Sequence, residues 1–233
     1  MVSGISPVDA RAQGDLTPTP DALYARREEP GFADRAAEAW AARLAATPAD
    51  FEAAWKLSRA RYYLGTNGPA DGRRTALDAG MEAARKAIAL QAARPEGHFW
   101  LAANMGALAE SFGMSQGLKY RKAIKAELEE VLRLDPGYEA GSADRALGRW
   151  YFKVPGLFGG SNEKSEQHLR KSLTYDPQST ASWYFLAETL EDMGRKADAR
   201  IALQRVIEAP LNPEWAPEDR HWKALARAKL ARR

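Results

Sequence analysis

The chain has 233 residues, no cysteine, and 34 lysines and arginines against 31 acids, a net charge of +3. Lack of cysteine removes disulfides, thiol catalysis, thiolate-ligated zinc and a cysteine-borne lipid anchor on this form of the chain. Interleaved charges exclude a nucleic-acid footprint, and no apolar run approaches the roughly 20 residues that cross a bilayer.

Ala, Leu, Arg and Glu dominate and apolar residues recur at helical spacing, so the chain reads as all-α. Even the densest basic run, Lys119, Arg121, Lys122 and Lys125, is followed at once by Glu127, Glu129 and Glu130. Residues 1–20, rich in Pro, Gly and Ser, read as a poorly ordered tail or the remnant of a signal peptide. Ala10-Arg11-Ala12 has the small-x-small pattern of an export cleavage site, which favours a periplasmic over a cytoplasmic location. From residue 21 to 233 we expect one domain. Its first helix pair is Asp21 to Glu29 and Phe32 to Ala46, broken by Pro30-Gly31.

Thr180 to Pro210 carries a two-helix pattern: Trp183, Leu186 and Leu190 on one face, a turn at Gly194, then Ala199, Leu203, Val206 and Ala209 on the second. Weaker copies begin near Phe51, Gly97 and Glu139. Enlarged inter-helix loops are expected at Gly65 to Thr75, Ser111 to Lys119 and Val154 to Asn162, with a polar-faced capping helix over Pro217 to Leu230. The pattern resembles the tetratricopeptide repeat, which implies a right-handed α-solenoid of about four helix-turn-helix repeats, here with enlarged intra-repeat loops. The runs FWLAANMGALAESFGMSQGLKYRKAIK and LGRWYFKVPGLFGG also resemble two subfamilies. One is the helical component associated with tripartite periplasmic (TRAP) transporters, and the other is the regulators of microtubule dynamics.

In such a solenoid the first helix of each repeat lines the concave groove. Taking Trp55, Phe99, Asp144 and Trp183 as equivalent, the groove positions are Lys56 and Ala60, Trp100 and Asn104, Arg145 and Arg149, and Tyr184 and Glu188. Lys56, Asn104, Arg145 and Arg149 are similar in placement to the carboxylate clamp of some tetratricopeptide adaptors, and Arg and Asn offer forked donors to such a group. Arg145 and Arg149 could equally pair with Asp144, Glu188 or solvent. Lys153 and Phe158 complete the candidate binding residues. The Pro155 to Gly160 loop is either an apolar lid, with Leu157 and Phe158 folding over the groove, or a structural turn in which Phe158 plugs a gap and Ser161 or Asn162 caps the next helix. Of Trp150, Tyr151 and Phe152, at least one should face the groove or the loop.

His98, His168 and His221 lack metal-ligand spacing, and no nucleophile elbow or phosphate loop is present. The sequence therefore reads as a non-catalytic binding module, with no cofactor or metal. Its expected partner is a peptide, a protein loop, a solute-binding protein or a small carboxylate ligand, with no nucleic acid and no membrane span. A transporter accessory, a self-associating homo-oligomer and an unrecognised hydrolase stand as alternatives.

Overall fold

A computed structural model describes residues 18–232, so the expected N-terminal tail lies almost wholly outside the described residues. The described residues form eleven α-helices: α1 (Pro20–Ala25), α2 (Phe32–Ala46), α3 (Phe51–Asn67), α4 (Arg73–Leu90), α5 (Pro95–Phe112), α6 (Met114–Leu134), α7 (Tyr138–Lys153), α8 (Asn162–Tyr175), α9 (Thr180–Asp192), α10 (Lys196–Glu208) and α11 (Ala216–Ala231). Polar side chains start several of them: Asp50 accepts from Ala53 N at 2.9 Å, and Ser161 accepts from Lys164 N at 3.2 Å. The pairs α3–α4, α5–α6, α7–α8 and α9–α10 are antiparallel hairpins stacked side by side, with α1–α2 before them and α11 after: an α-solenoid of helical repeats.

Glycines sit where paired helices touch. A Cβ on Gly65 would stand 2.5 Å from Leu77, and one on Gly148 would stand 2.5 Å from Leu169. Each hairpin then buries a strip of its neighbour, and Leu77, Leu108, Leu147, Leu169, Leu190 and Leu203 are wholly enclosed along the stack. At the start of α7, Glu139, Ala140 and Gly141 take left-handed backbone angles (φ 47°, 53° and 75°). Two of these residues carry a Cβ, at a cost of roughly 1–2 kcal/mol each.

Three sequence expectations need correction. The first helix stops at Ala25 rather than Glu29, because the chain turns through Arg26 to the left-handed Gly31 (φ 78°). No loop spans Ser111 to Lys119: α5 and α6 continue into that stretch and only Gly113 (φ 85°) separates them, so the extra residues lengthen the helices. The C-terminal helix is more than a polar cap. Asp219 and Lys223 on it are buried, the latter donating to Ile207 O at 2.6 Å.

The two ends of the solenoid meet. Arg27, 4 % exposed, donates to Glu218 Oε1 and Oε2 at 3.1 and 2.6 Å and to the Glu214 carbonyl at 2.7 Å. Arg220 pairs through both guanidinium arms with Glu28. Residues 191 positions apart are thereby clasped, and the stack of hairpins becomes a ring with the first helices of each repeat facing inward.

Candidate functional site

The inner wall is built by α3, α5, α7, α9 and α11. Its clearest feature is a ladder of charges. Arg149 on α7 donates Nε and Nη2 to the two oxygens of Glu110 on α5 at 3.0 and 2.9 Å, and Nη1 to Glu188 on α9 at 2.5 Å. Its guanidinium also lies 4.6 Å from the Phe185 ring centre. The three residues are spaced by 39 in sequence, so they are the same position in successive repeats, read Glu, Arg, Glu. Arg149 is therefore neutralised twice, the pairing that the sequence allowed for in naming Glu188; burial weakens its charge and the two carboxylates more than restore it.

One helical turn back, the same 39-residue register gives Gly106, Arg145 and Tyr184. At this position neither flanking repeat carries an acid. Arg145 is partly buried, and among the described residues it has no hydrogen bond and no ion pair. Burial pushes its guanidinium below the usual arginine range; the field of Glu139 opposes that shift, followed by those of Asp176 and Tyr62. Beside it the Gly106 face is open, since a Cβ there would meet nothing within 4 Å. The Tyr62 phenol, pushed up to about 12 mainly by burial, and the Glu139 carboxyl, raised by burial and by Glu214, stand in the same electrostatic neighbourhood. Arg59, 7 % exposed, lies 3.6 Å from Asp21 and 4.0 Å from Glu214, and its guanidinium stacks 4.2 Å from Tyr24.

The other sequence candidates fall elsewhere. Lys56 is held by Asp21 and Glu52, both at 2.7 Å, and lies over the Trp40 ring. Asn104 is wholly buried between α3, α4 and α5, donating to Trp100 O at 2.8 Å and Ser58 Oγ at 3.1 Å, with its amide against Gly80. Trp100 is 3 % exposed and packs on Tyr62 and Phe99, so it serves the core rather than the groove surface. Tyr184 is 9 % exposed against Trp222. Lys153 is exposed beside Phe152, at the end of α7.

The Pro155 to Gly160 loop does not reach the Arg145 wall. Ser161 caps α8, as the structural reading of that loop had it, but Phe158 plugs no gap: it is 39 % exposed, with the Arg121 guanidinium of α6 at 5.2 Å from its ring. Trp150 and Tyr151 are buried, with the Trp150 indole donating to Arg121 O at 2.9 Å; only Phe152 is left partly open. His168 stacks on Tyr151 and bonds the buried Asp144 at 2.7 Å, and His98 bonds Glu127 at 2.6 Å. Among the described residues no group of His, Asp and Glu could hold a metal ion.

Glu110 and Gly106 were missed because Phe99 was aligned with Asp144. The 39-residue register of the last two repeats, carried back once more, aligns Met105 instead and brings Gly106 and Glu110 to the groove. That spacing was the available signal.

Stacked hairpins with an inner wall of first helices define a tetratricopeptide-type repeat protein, and residues 160–230 match a tetratricopeptide-repeat family model. Residues 21–158, more than half of the chain, match the model of the regulator of microtubule dynamics protein 1-3 family, and the chain belongs to that family. No curated protein sequence matches it. Among solved structures it is similar to a thermophilic TPR protein of Thermus thermophilus, at 22 % identity and TM-score 0.69, covering 91 % of this chain and 97 % of that one. Two structures of MamA match at 18 % identity and TM-score 0.52, covering 85 % of this chain with 95 % of one, and 88 % with 92 % of the other. At these identities the likeness is one of fold.

Proposed function

We propose that the protein is a non-catalytic scaffold that holds a carboxylate-bearing segment of a partner protein against the inner wall at Arg145. The observation that carries this reading is the contrast between two arginines one turn apart on α7. Arg149 is saturated by Glu110 and Glu188, while Arg145 feels Glu139 and Asp176 only at a distance and among the described residues has no carboxylate in contact with it. A buried guanidinium without a partner is costly, and a ligand carboxylate would supply the missing forked acceptor. Gly106 supports the reading from the neighbouring repeat. Glycine inside a helix costs roughly 0.5–1 kcal/mol relative to alanine, and here it leaves room beside Arg145. The transporter-accessory alternative rests on sequence resemblance alone, and nothing in the groove favours it over a protein partner.

The test is a pull-down to identify the partner segment, followed by calorimetry. Arg145→Ala should weaken binding by about 1–3 kcal/mol, and Gly106→Phe should block it by filling the wall, whereas Lys153→Ala should do little. Affinity that is indifferent to Arg145→Ala would discard the reading.

A further inference from the structure

One edge of the stack, where the hairpin turns of successive repeats line up, gathers six cations. Arg74 stands at the start of α4, Lys119, Arg121 and Lys122 in the first half of α6, and Lys153 and Lys164 on either side of the α7–α8 loop. Among the described residues none of these six has a carboxylate partner. Arg74 instead lies 4.0 Å from the Phe112 ring, Lys119 4.9 Å from Tyr120, and Arg121 5.2 Å from Phe158. Three acids of this edge accept only from neutral donors, Asp71 from Gly72 N, Glu163 from Ser161 and Asp192 from Asn162, so they keep their charge and the six cations outnumber them two to one. The Arg74–Phe112 and Arg121–Phe158 contacts join the three helix junctions into one continuous strip.

Three large apolar side chains stand out from that strip: Leu157 at 90 % exposure, Met114 at 71 % and Phe158 at 39 %. The fold holds Leu157 out firmly. Its loop is closed by Phe158 N to Pro155 O at 2.8 Å and Ser161 N to Tyr151 O at 3.0 Å. Gly159 sits at φ 104°, and a Cβ on Gly160 would lie 1.7 Å from Val154 O, so both positions require glycine.

We propose that this edge docks on an anionic lipid bilayer, with Leu157 and Met114 entering between headgroups while the six cations meet the charged surface. Charge complementarity carries the choice of partner. Unpaired lysines and arginines around apolar tips are what an anionic interface selects, because apolar insertion and electrostatic attraction act together there. An acidic protein would need a complementary groove, and here the apolar groups are separate protrusions. The four lysines, on flexible stems, suit mobile lipid charges.

The experiment uses the full chain and sedimentation with vesicles of phosphatidylcholine alone or with about 30 % phosphatidylserine. Binding is expected only to the anionic vesicles and should fall as salt rises. Lys119→Glu with Lys122→Glu should weaken it by at least about tenfold. Leu157→Ser with Met114→Ser should also weaken it without changing the melting temperature, since both side chains are exposed. Leu157→Cys would place the sole thiol of the chain at the tip, and an environment-sensitive dye there should shift to the blue on vesicle binding. The proposal is overturned if the protein ignores anionic vesicles at low salt, or if the dye stays in water when vesicles are bound. It is equally overturned if binding survives the Leu157/Met114 change and RNA displaces it, the behaviour of a plain polyanion patch.

Discussion

Replacing Arg27 by Met tests whether the solenoid is a ring. The Arg27 side chain is 3 % exposed, so water cannot replace what the substitution removes: two hydrogen bonds to Glu218, one to the Glu214 carbonyl and a longer one to the Tyr24 carbonyl. Breaking a fully buried pair costs about 3–5 kcal/mol because the partner charge is stranded. Glu218 is 30 % exposed and can be rehydrated, so the expected loss is about 2–3 kcal/mol, or roughly 5–10 °C in melting temperature for a chain of this size. In a stack of repeats the loss should be local rather than global. Hydrogen exchange should therefore speed up in α1 and α11 together, although about 190 residues separate them, and leave α5 and α6 protected. Adding Glu218→Leu should recover most of the stability by removing the stranded charge. If α11 exchanges at its wild-type rate in Arg27→Met, the ends do not meet and the closed groove is wrong.

Other substitutions probe the core and the groove separately. Gly80→Ala should cost about 1–3 kcal/mol in chemical denaturation, because its Cβ would lie 2.2 Å from Asn104 Oδ1 and the wholly buried amide has nowhere to go. Gly106→Ala, by contrast, should stabilise by roughly 0.5–1 kcal/mol, since the added methyl meets open space and removes glycine from a helix interior. Glu139 gives a pH signature. Burial, reinforced by Glu214, raises its carboxyl above the ordinary range, so the fold binds that proton more tightly than the unfolded chain does. Its contribution is full below the usual glutamate value of about 4.3 and is lost as pH rises through the higher folded value. Glu139→Gln should therefore melt above wild type at neutral pH and level with it near pH 3.5, roughly a unit below the free carboxyl; a gain that persists in acid would refute this.

The fold was legible because hairpin packing is a nearest-neighbour matter. Small residues such as Gly65, Ala84, Gly148 and Ala199 mark where paired helices touch, and sequence periodicity records such contacts directly. The clasp was not legible, since Arg27 and Glu218 meet only after the small rotation of every hairpin has accumulated around the ring. The groove lies between these cases. Arg149 and Glu188, expected at the groove, meet each other across α7 and α9, whereas Asn104 was misplaced by an alignment that counted from the aromatic Phe99. Helix α5 is 18 residues long against 13 for α9, and its extra turns move the groove position from Asn104 to Glu110.

With the register set at 39, the sequence itself separates the two arginines. The row through residues 110, 149 and 188 alternates Glu, Arg, Glu and neutralises itself. The row through 106, 145 and 184 reads Gly, Arg, Tyr and leaves its cation unanswered. Both rows share one helix and one desolvated channel, so burial alone cannot explain why one is balanced and the other is not. The unmatched row is the contrast on which the proposed carboxylate site rests.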